Sequence, residues 1–114
     1  MEQTAPLHPA TEWASSRDFS PQEVDCTTAV VLKILDGKCK MLPGEKTAVL
    51  AIYDVVRGQT APLFDADTHR QIASARDGSP DSDAIHALRC HAEAAIPKPV
   101  MKAYKAVLRA GLFE

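Results

Sequence analysis

The chain has 114 residues, 13 of them Lys or Arg and 15 Asp or Glu, which gives a net charge of -2. This length fits one domain of ordinary size, and a 46% hydrophobic content is enough to form a core. The near-neutral charge gives the whole molecule no general attraction for nucleic acid or anionic membranes. No apolar run approaches the roughly 20 residues that span a bilayer, and the N-terminus lacks the apolar region of a signal peptide.

The three cysteines, Cys26, Cys39 and Cys90, are odd in number and are not closely spaced. Such a set is typical of a reducing compartment rather than of a disulfide framework. We therefore expect a cytoplasmic protein, and the sequence leaves open whether one of these thiols links two copies.

The N-terminal segment, residues 1–18, shows little periodicity and is predicted to form an arm with one helical turn around 10–16. Residues 19–114 are predicted to form a single helical domain. Its first helix should begin after Ser20, because Ser20 and Glu23 form a capping box signature. This helix should end just before Gly37, which favours the left-handed conformation of a C-terminal cap.

Two further helices are predicted in the middle of the chain. The first should run from Pro43 to Gly58, and it is apolar over more than half of its circumference. The β-branched residues of Val49–Val56 leave a strand as an alternative for that segment. A weaker helix should follow, capped by Asp65 or Asp67 and ended by Gly78.

The last two predicted helices lie on either side of a proline pair. One begins at Ser79 or Ser82 and ends near Ala95, and the other begins at Pro99 and is capped by Gly111. Short connections between helices favour an all-α fold. We therefore predict a single-domain bundle of about five helices with a partly irregular N-terminal arm.

A basic stripe is predicted on the last helix, where Lys98, Lys102, Lys105 and Arg109 fall on one side at helical spacing. Such a stripe can contact phosphates or an acidic protein partner, or it can face water near the negative end of the helix dipole. A small DNA-binding regulator is therefore the alternative function. A helix-turn-helix fits poorly, however, because the last helix would present Val100 and Met101 near its start.

A possible chemical site lies on the fourth predicted helix, where Asp83, His86, Cys90 and Glu93 share one face. Their spacing matches no closed zinc pattern, and a solvated polar face explains them equally well. Cys90 could touch His86, but a working thiolate also needs an orienting group and an oxyanion site. We therefore predict no catalytic, cofactor or metal site, and a protein that is not an enzyme.

The sequence also predicts more apolar helix surface than a small domain can bury. Homodimerisation or a partner would cover the excess. Alternatively, the second helix is the central helix of the bundle, and the two explanations can hold together. The residues predicted to be exposed at a dimer or partner interface are Leu32, Leu50, Tyr53, Leu112 and Phe113.

Two segments, "TAVLAIYDVVRG" and "KAYKAVLRAGLF", together with the length and helical make-up, resemble a known family. The chain resembles the small helical anti-activators of quorum sensing of the QslA type. The resemblance implies a cytoplasmic homodimer that binds the ligand-binding domain of a LuxR-type transcription activator. It also implies that this binding blocks dimerisation and DNA binding of the activator. No short motif allows contact residues to be carried over.

Overall fold

The computed structural model describes residues 9–58, 64–78 and 81–113, with the backbone alone at 108 and 110–113. Within these ranges the chain forms six α-helices and no strand. The predicted all-α class is confirmed, with one helix more than the five expected. The division into an arm and a domain stays a prediction. The helices are α1 Pro9–Ser15, α2 Pro21–Leu35, α3 Pro43–Val56, α4 Ala66–Asp77, α5 Ser82–Ala95 and α6 Lys98–Phe113.

Both predicted ends of α2 are confirmed. The Ser20 Oγ accepts from the Glu23 amide at 3.2 Å, and the Glu23 carboxylate accepts from the Ser20 amide at 3.0 Å. At the other end Gly37 has a φ of 74°, and the amide of Lys38 bonds the carbonyl of Lys33 at 3.2 Å. This turn returns the chain toward α2, so that residues 38–41 border a cavity together with Val30 and Lys33.

Helix α3 packs against α1, α2 and α6. Val49, Ile52, Tyr53 and Val56 have no exposed surface. The strand alternative for this segment is wrong, because Pro43–Val56 is helical. Helix α2 packs against α3, α4, α5 and α6, so α2 and α3 share the centre of the bundle and the alternative of α3 as the central helix is not confirmed. The apolar circumference of α3 is covered from several sides, which accounts for a hydrophobic pattern wider than one face.

Two of the residues predicted to be exposed at an interface are buried. Leu32 and Tyr53 are both 0% exposed, because α2 and α3 pack against each other. The prediction that they are exposed is wrong. Leu50 is half-buried against the core, and its place in an interface stays a prediction. The side chains of Leu112 and Phe113 lie outside the described residues.

The predicted start of α5 at Ser82 is confirmed, and one other predicted helix end is corrected. Asp81 is the N-cap of α5, and its carboxylate accepts from the amides of Asp83 and Ala84. Gly111 lies inside α6, which continues to Phe113. Among the described residues Gly37 alone has a positive φ, so Gly111 does not form the predicted left-handed cap.

The last helix, α6, is fixed to the bundle by its first turns. Tyr104 is buried, and its hydroxyl forms a hydrogen bond with the hydroxyl of Thr27 on α2. Val100 and Met101 are half-buried against the same core. These contacts place one side of α6 beside α2 and leave Lys98, Lys102, Lys105 and Arg109 at the border of the two helices.

Candidate partner-binding groove

A cavity of about 370 Å³ lies between α2, the end of α5 and the start of α6. Its apolar wall contains Ile96 and Met101, and its single carboxylate is Glu93. The cations that line it are Lys33, Lys98, Lys102 and Lys105. Helix α2 contributes the first of these, and α6 contributes the other three at successive turns.

A second cavity, of about 260 Å³, adjoins the first and shares Lys33 and Lys105 with it. It lies between α2, the connection that follows Gly37, and the later turns of α6. The other residues that line it are Val30, Lys38, Cys39, Lys40, Met41 and Arg109. We name the two cavities together the basic groove, with a proximal part at Ile96 and a distal part at Met41.

The basic groove concentrates the positive charge of a chain that is negative overall. Among the described residues that line it, seven are Lys or Arg and one is Asp or Glu. Five of its lysines have no carboxylate within 4.0 Å among the described residues. These are Lys38, Lys40, Lys98, Lys102 and Lys105. The molecule therefore has a strongly positive surface region although its net charge is negative.

Glu93, the carboxylate among the described residues that line the groove, is already paired with Arg89. Arg89 donates from Nη1 to Glu93 at 2.8 Å and from Nε to Asp36 at 2.6 Å. The hydrogen bond from Arg89 lowers the pKa of Asp36, and the same bond raises the pKa of Arg89. Lys33 reaches Glu93 only at 3.8 Å. Glu93 therefore neutralises little of the lysine charge in the groove.

Lys105, like Lys33, lines both cavities. Partial burial lowers its pKa, and the charge of Lys33 lowers it further. Both effects disfavour the charged ammonium when the groove holds no anion. A carboxylate placed beside Lys105 would remove this penalty.

The walls of the groove are apolar below the lysines. Val30 and Ile96 belong to the core, and Met41 and Met101 pack half-buried against it. Next to Met41, the side chain of Leu42 is 69% exposed. Leu42 and Val107, which is 44% exposed, are the large hydrophobic residues that the described part of the chain leaves exposed. Leu42 directly follows the lining residue Met41 in the chain.

All four residues of the predicted basic stripe lie in this groove. The sequence did not predict that Lys33, Lys38 and Lys40 would join them from α2 and its following connection. The cluster "KCK" at 38–40 was a signal of local charge. Nothing in the sequence showed that this cluster lies beside α6, since that depends on how α2 and α6 pack.

The candidate residues on α5 have structural partners. His86 Nδ1 lies 3.1 Å from Asp36 Oδ2, and His86 Nε2 lies 3.6 Å from the Cys90 sulfur. Asp36 thus orients His86 and, through Arg89, ties α5 to the end of α2. The described residues contain no group of three or more His, Cys, Asp or Glu side chains placed to hold a metal ion.

His69 is a titratable group inside the bundle, away from the groove. Its Nδ1 lies 2.7 Å from the hydroxyl of Tyr53, and its Nε2 is buried without a partner among the described residues. Burial lowers the pKa of His69 below its usual value of 6.5. The folded state therefore favours neutral His69, whose Nδ1 shares a hydrogen bond with the Tyr53 hydroxyl.

We expect acid to destabilise the protein through His69. The unfolded chain binds a proton at this residue at higher pH than the folded chain does, so the free energy of unfolding should fall as the pH drops below about 6.5. Carboxylates with lowered pKa, such as Asp36 and Asp65, reduce the stability only below about pH 5. Urea unfolding should therefore show that the free energy of unfolding of the parent falls between about pH 7 and pH 5. This fall should be absent in His69→Asn.

The matched control for this measurement is His91→Asn, because His91 is exposed on α5. This variant should keep the full pH dependence of the parent. Equal pH dependence in the His69→Asn variant and the parent would contradict the assignment.

No protein-family model, curated protein or solved structure shows a significant match to this chain. Across the described residues, no helix is both long enough and apolar enough to cross a membrane.

Proposed function

We propose that this protein is a non-enzymatic inhibitor that acts by binding another protein. In the form implied by the sequence resemblance, it is a cytoplasmic anti-activator. It captures the ligand-binding domain of a LuxR-type transcription activator and prevents the activator from dimerising and binding DNA. Homodimerisation of the chain is part of the same proposal.

The observation that supports a binding role is the basic groove. Five lysines without a carboxylate partner repel one another, so their grouping around an apolar cleft costs free energy in the isolated chain. The two cavities together fall within the roughly 300–1,000 Å³ typical of ligand clefts. A surface of this kind is complementary in charge to an acidic partner.

Direct DNA binding is the second candidate function, and the same seven cations are the reason to consider it. Phosphate contacts by these residues would make binding to any duplex fall steeply with salt. However, lysines at the border of a cleft are less suited to base recognition than Arg, Asn or Gln side chains that reach into a groove of DNA. We therefore favour a protein partner.

The test is to mix the full chain with the purified ligand-binding domain of a LuxR-type activator. Size-exclusion chromatography with light scattering should show a heteromeric complex and loss of the activator dimer. A duplex DNA titration at low and high salt is run in parallel. If the activator stays dimeric and no complex forms, the anti-activator proposal is wrong. Salt-sensitive binding of random duplex DNA would support the second candidate instead.

A further inference from the structure

We infer that the basic groove binds an acidic segment of a partner protein, in which carboxylates flank large apolar side chains. One apolar side chain enters the proximal part at Ile96 and Met101, and another enters the distal part at Val30 and Met41. The groove lysines pair with the neighbouring carboxylates. The inference rests on the proposed function for the partner's identity, but the chemistry of the segment follows from the groove itself.

The lysines determine the charge of the segment. Lys33 and Lys105 lie where the two cavities meet, so a carboxylate there contacts both parts of the groove. It also relieves the repulsion between these two ammonium groups, because an anion is placed between them. Lys98 and Lys102 extend the positive border on one side, and Lys38 and Lys40 extend it on the other.

The apolar walls determine the rest of the segment. A purely acidic peptide would place carboxylates against Ile96, Met101 and Met41. These carboxylates would lose their hydration without gaining a charged or hydrogen-bonding partner. Leucine-sized side chains in the two cavities bury apolar area instead and leave the carboxylates at the wetter border.

The same lining disfavours nucleic acid as the occupant. Single strands bind through bases stacked on aromatic side chains, but none of the described lining residues is aromatic, Asn or Gln. The only arginine, Arg109, already lies 3.3 Å from the Glu45 carboxylate. The groove therefore offers point charges and apolar walls, and this combination fits an acidic peptide.

The first test uses a synthetic fluorescein-labelled peptide rich in glutamate and carrying two leucines. Its affinity for the full chain is measured by fluorescence anisotropy. Two control peptides replace each Glu by Gln or each Leu by Ser, and both should bind more weakly. The double variant Lys33→Gln/Lys105→Gln should lower the affinity of the parent peptide about tenfold.

The matched control variant is Arg70→Gln, because the Arg70 side chain is 74% exposed on α4 and lies outside the groove. It should leave the affinity unchanged, and circular dichroism should show that both variants are folded. The inference is overturned if the double variant binds the peptide as tightly as the parent, or if the Gln peptide binds as well as the Glu peptide.

A second test locates the peptide through the native cysteines. Cys39 is half-buried in the distal part of the groove, whereas Cys90 is exposed on α5. A small alkylating reagent such as iodoacetamide should therefore modify Cys90 first. The same acidic peptide carrying a bromoacetyl group should instead label Cys39 before Cys90. Mass spectrometry identifies the labelled cysteine. Preferential labelling of Cys90 by the peptide would overturn the inference.

The activator separates a failure of this inference from a failure of the proposed function. If the activator is captured equally well by the parent and by Lys33→Gln/Lys105→Gln, the groove is not the docking site, although the anti-activator function stands. If the peptide binds in the groove and the activator does not bind, the groove inference stands and the partner is another acidic protein. Tighter groove-dependent binding of duplex DNA than of the peptide would overturn the choice of a protein ligand.

Discussion

The substitution Leu32→Ala should lower the free energy of unfolding by about 3 kcal/mol, with no direct effect on assembly. Leu32 is 0% exposed and lies on α2 where this helix packs against α3 and α5. Truncation removes the transfer free energy of the buried carbons and leaves a cavity that the neighbouring helices fill only in part. Urea or thermal unfolding, followed by circular dichroism, measures the loss.

The matched control is Leu42→Ala, since Leu42 is the same residue type but is 69% exposed. Its free energy of unfolding should stay within about 0.5 kcal/mol of the parent. The pair separates a core role from an interface role. If Leu32→Ala has the same free energy of unfolding as the parent but a different oligomeric state, Leu32 lies at an interface and not in the core.

The helix ends were predictable from the sequence because capping is a local interaction. Ser20 and Glu23 are three residues apart, and Gly37 needs only its own backbone freedom to end α2. Asp65 likewise caps α4 through the amide of Thr68, as predicted. The start of α5 at Ser82 is one of the two predicted starts, and its cap, Asp81, is the residue directly before it.

The exposed apolar residues were harder to predict because exposure depends on what packs on a helix. Leu32 and Tyr53 lie on faces that would be exposed in a helix with one buried side, but α2 and α3 are both covered from several directions. Leu42, in contrast, directly precedes α3 and is exposed, but it was not among the residues predicted to be exposed. Hydrophobic periodicity identifies a helix with a wide apolar arc, but it does not show how many neighbours cover that arc.

Only one of the two walls of the groove was predictable from the sequence. The spacing of Lys98, Lys102, Lys105 and Arg109 identified one wall, because a stripe on one helix is a property of that helix alone. The opposite wall comes from Lys33 and from residues 38–41, which are distant in sequence from α6. Their approach depends on the turn at Gly37 and on the burial of Tyr104 against α2, and neither interaction leaves a charge pattern in the sequence.

The substitution Tyr104→Ala should destabilise the protein by about 3 kcal/mol or more and should also weaken peptide binding in the groove. Tyr104 is 4% exposed and is the largest side chain through which the described part of α6 enters the core. Its loss leaves Val100 and Met101, both only half-buried, to hold the helix against α2. Because α6 supplies four of the seven groove cations, loosening this helix separates the two walls.

The conservative variant Tyr104→Phe separates packing from hydrogen bonding. It keeps the ring and removes only the hydroxyl that contacts Thr27, whose own hydroxyl still donates to the Glu23 carbonyl at 2.8 Å. The expected cost is about 1 kcal/mol, with the peptide affinity of the parent retained. Hydrogen exchange should show faster exchange of α6 amides in Tyr104→Ala than in Tyr104→Phe. If Tyr104→Ala binds the acidic peptide as tightly as the parent does, the groove does not depend on the docking of α6. In that case the binding cations are those of α2 and its following connection.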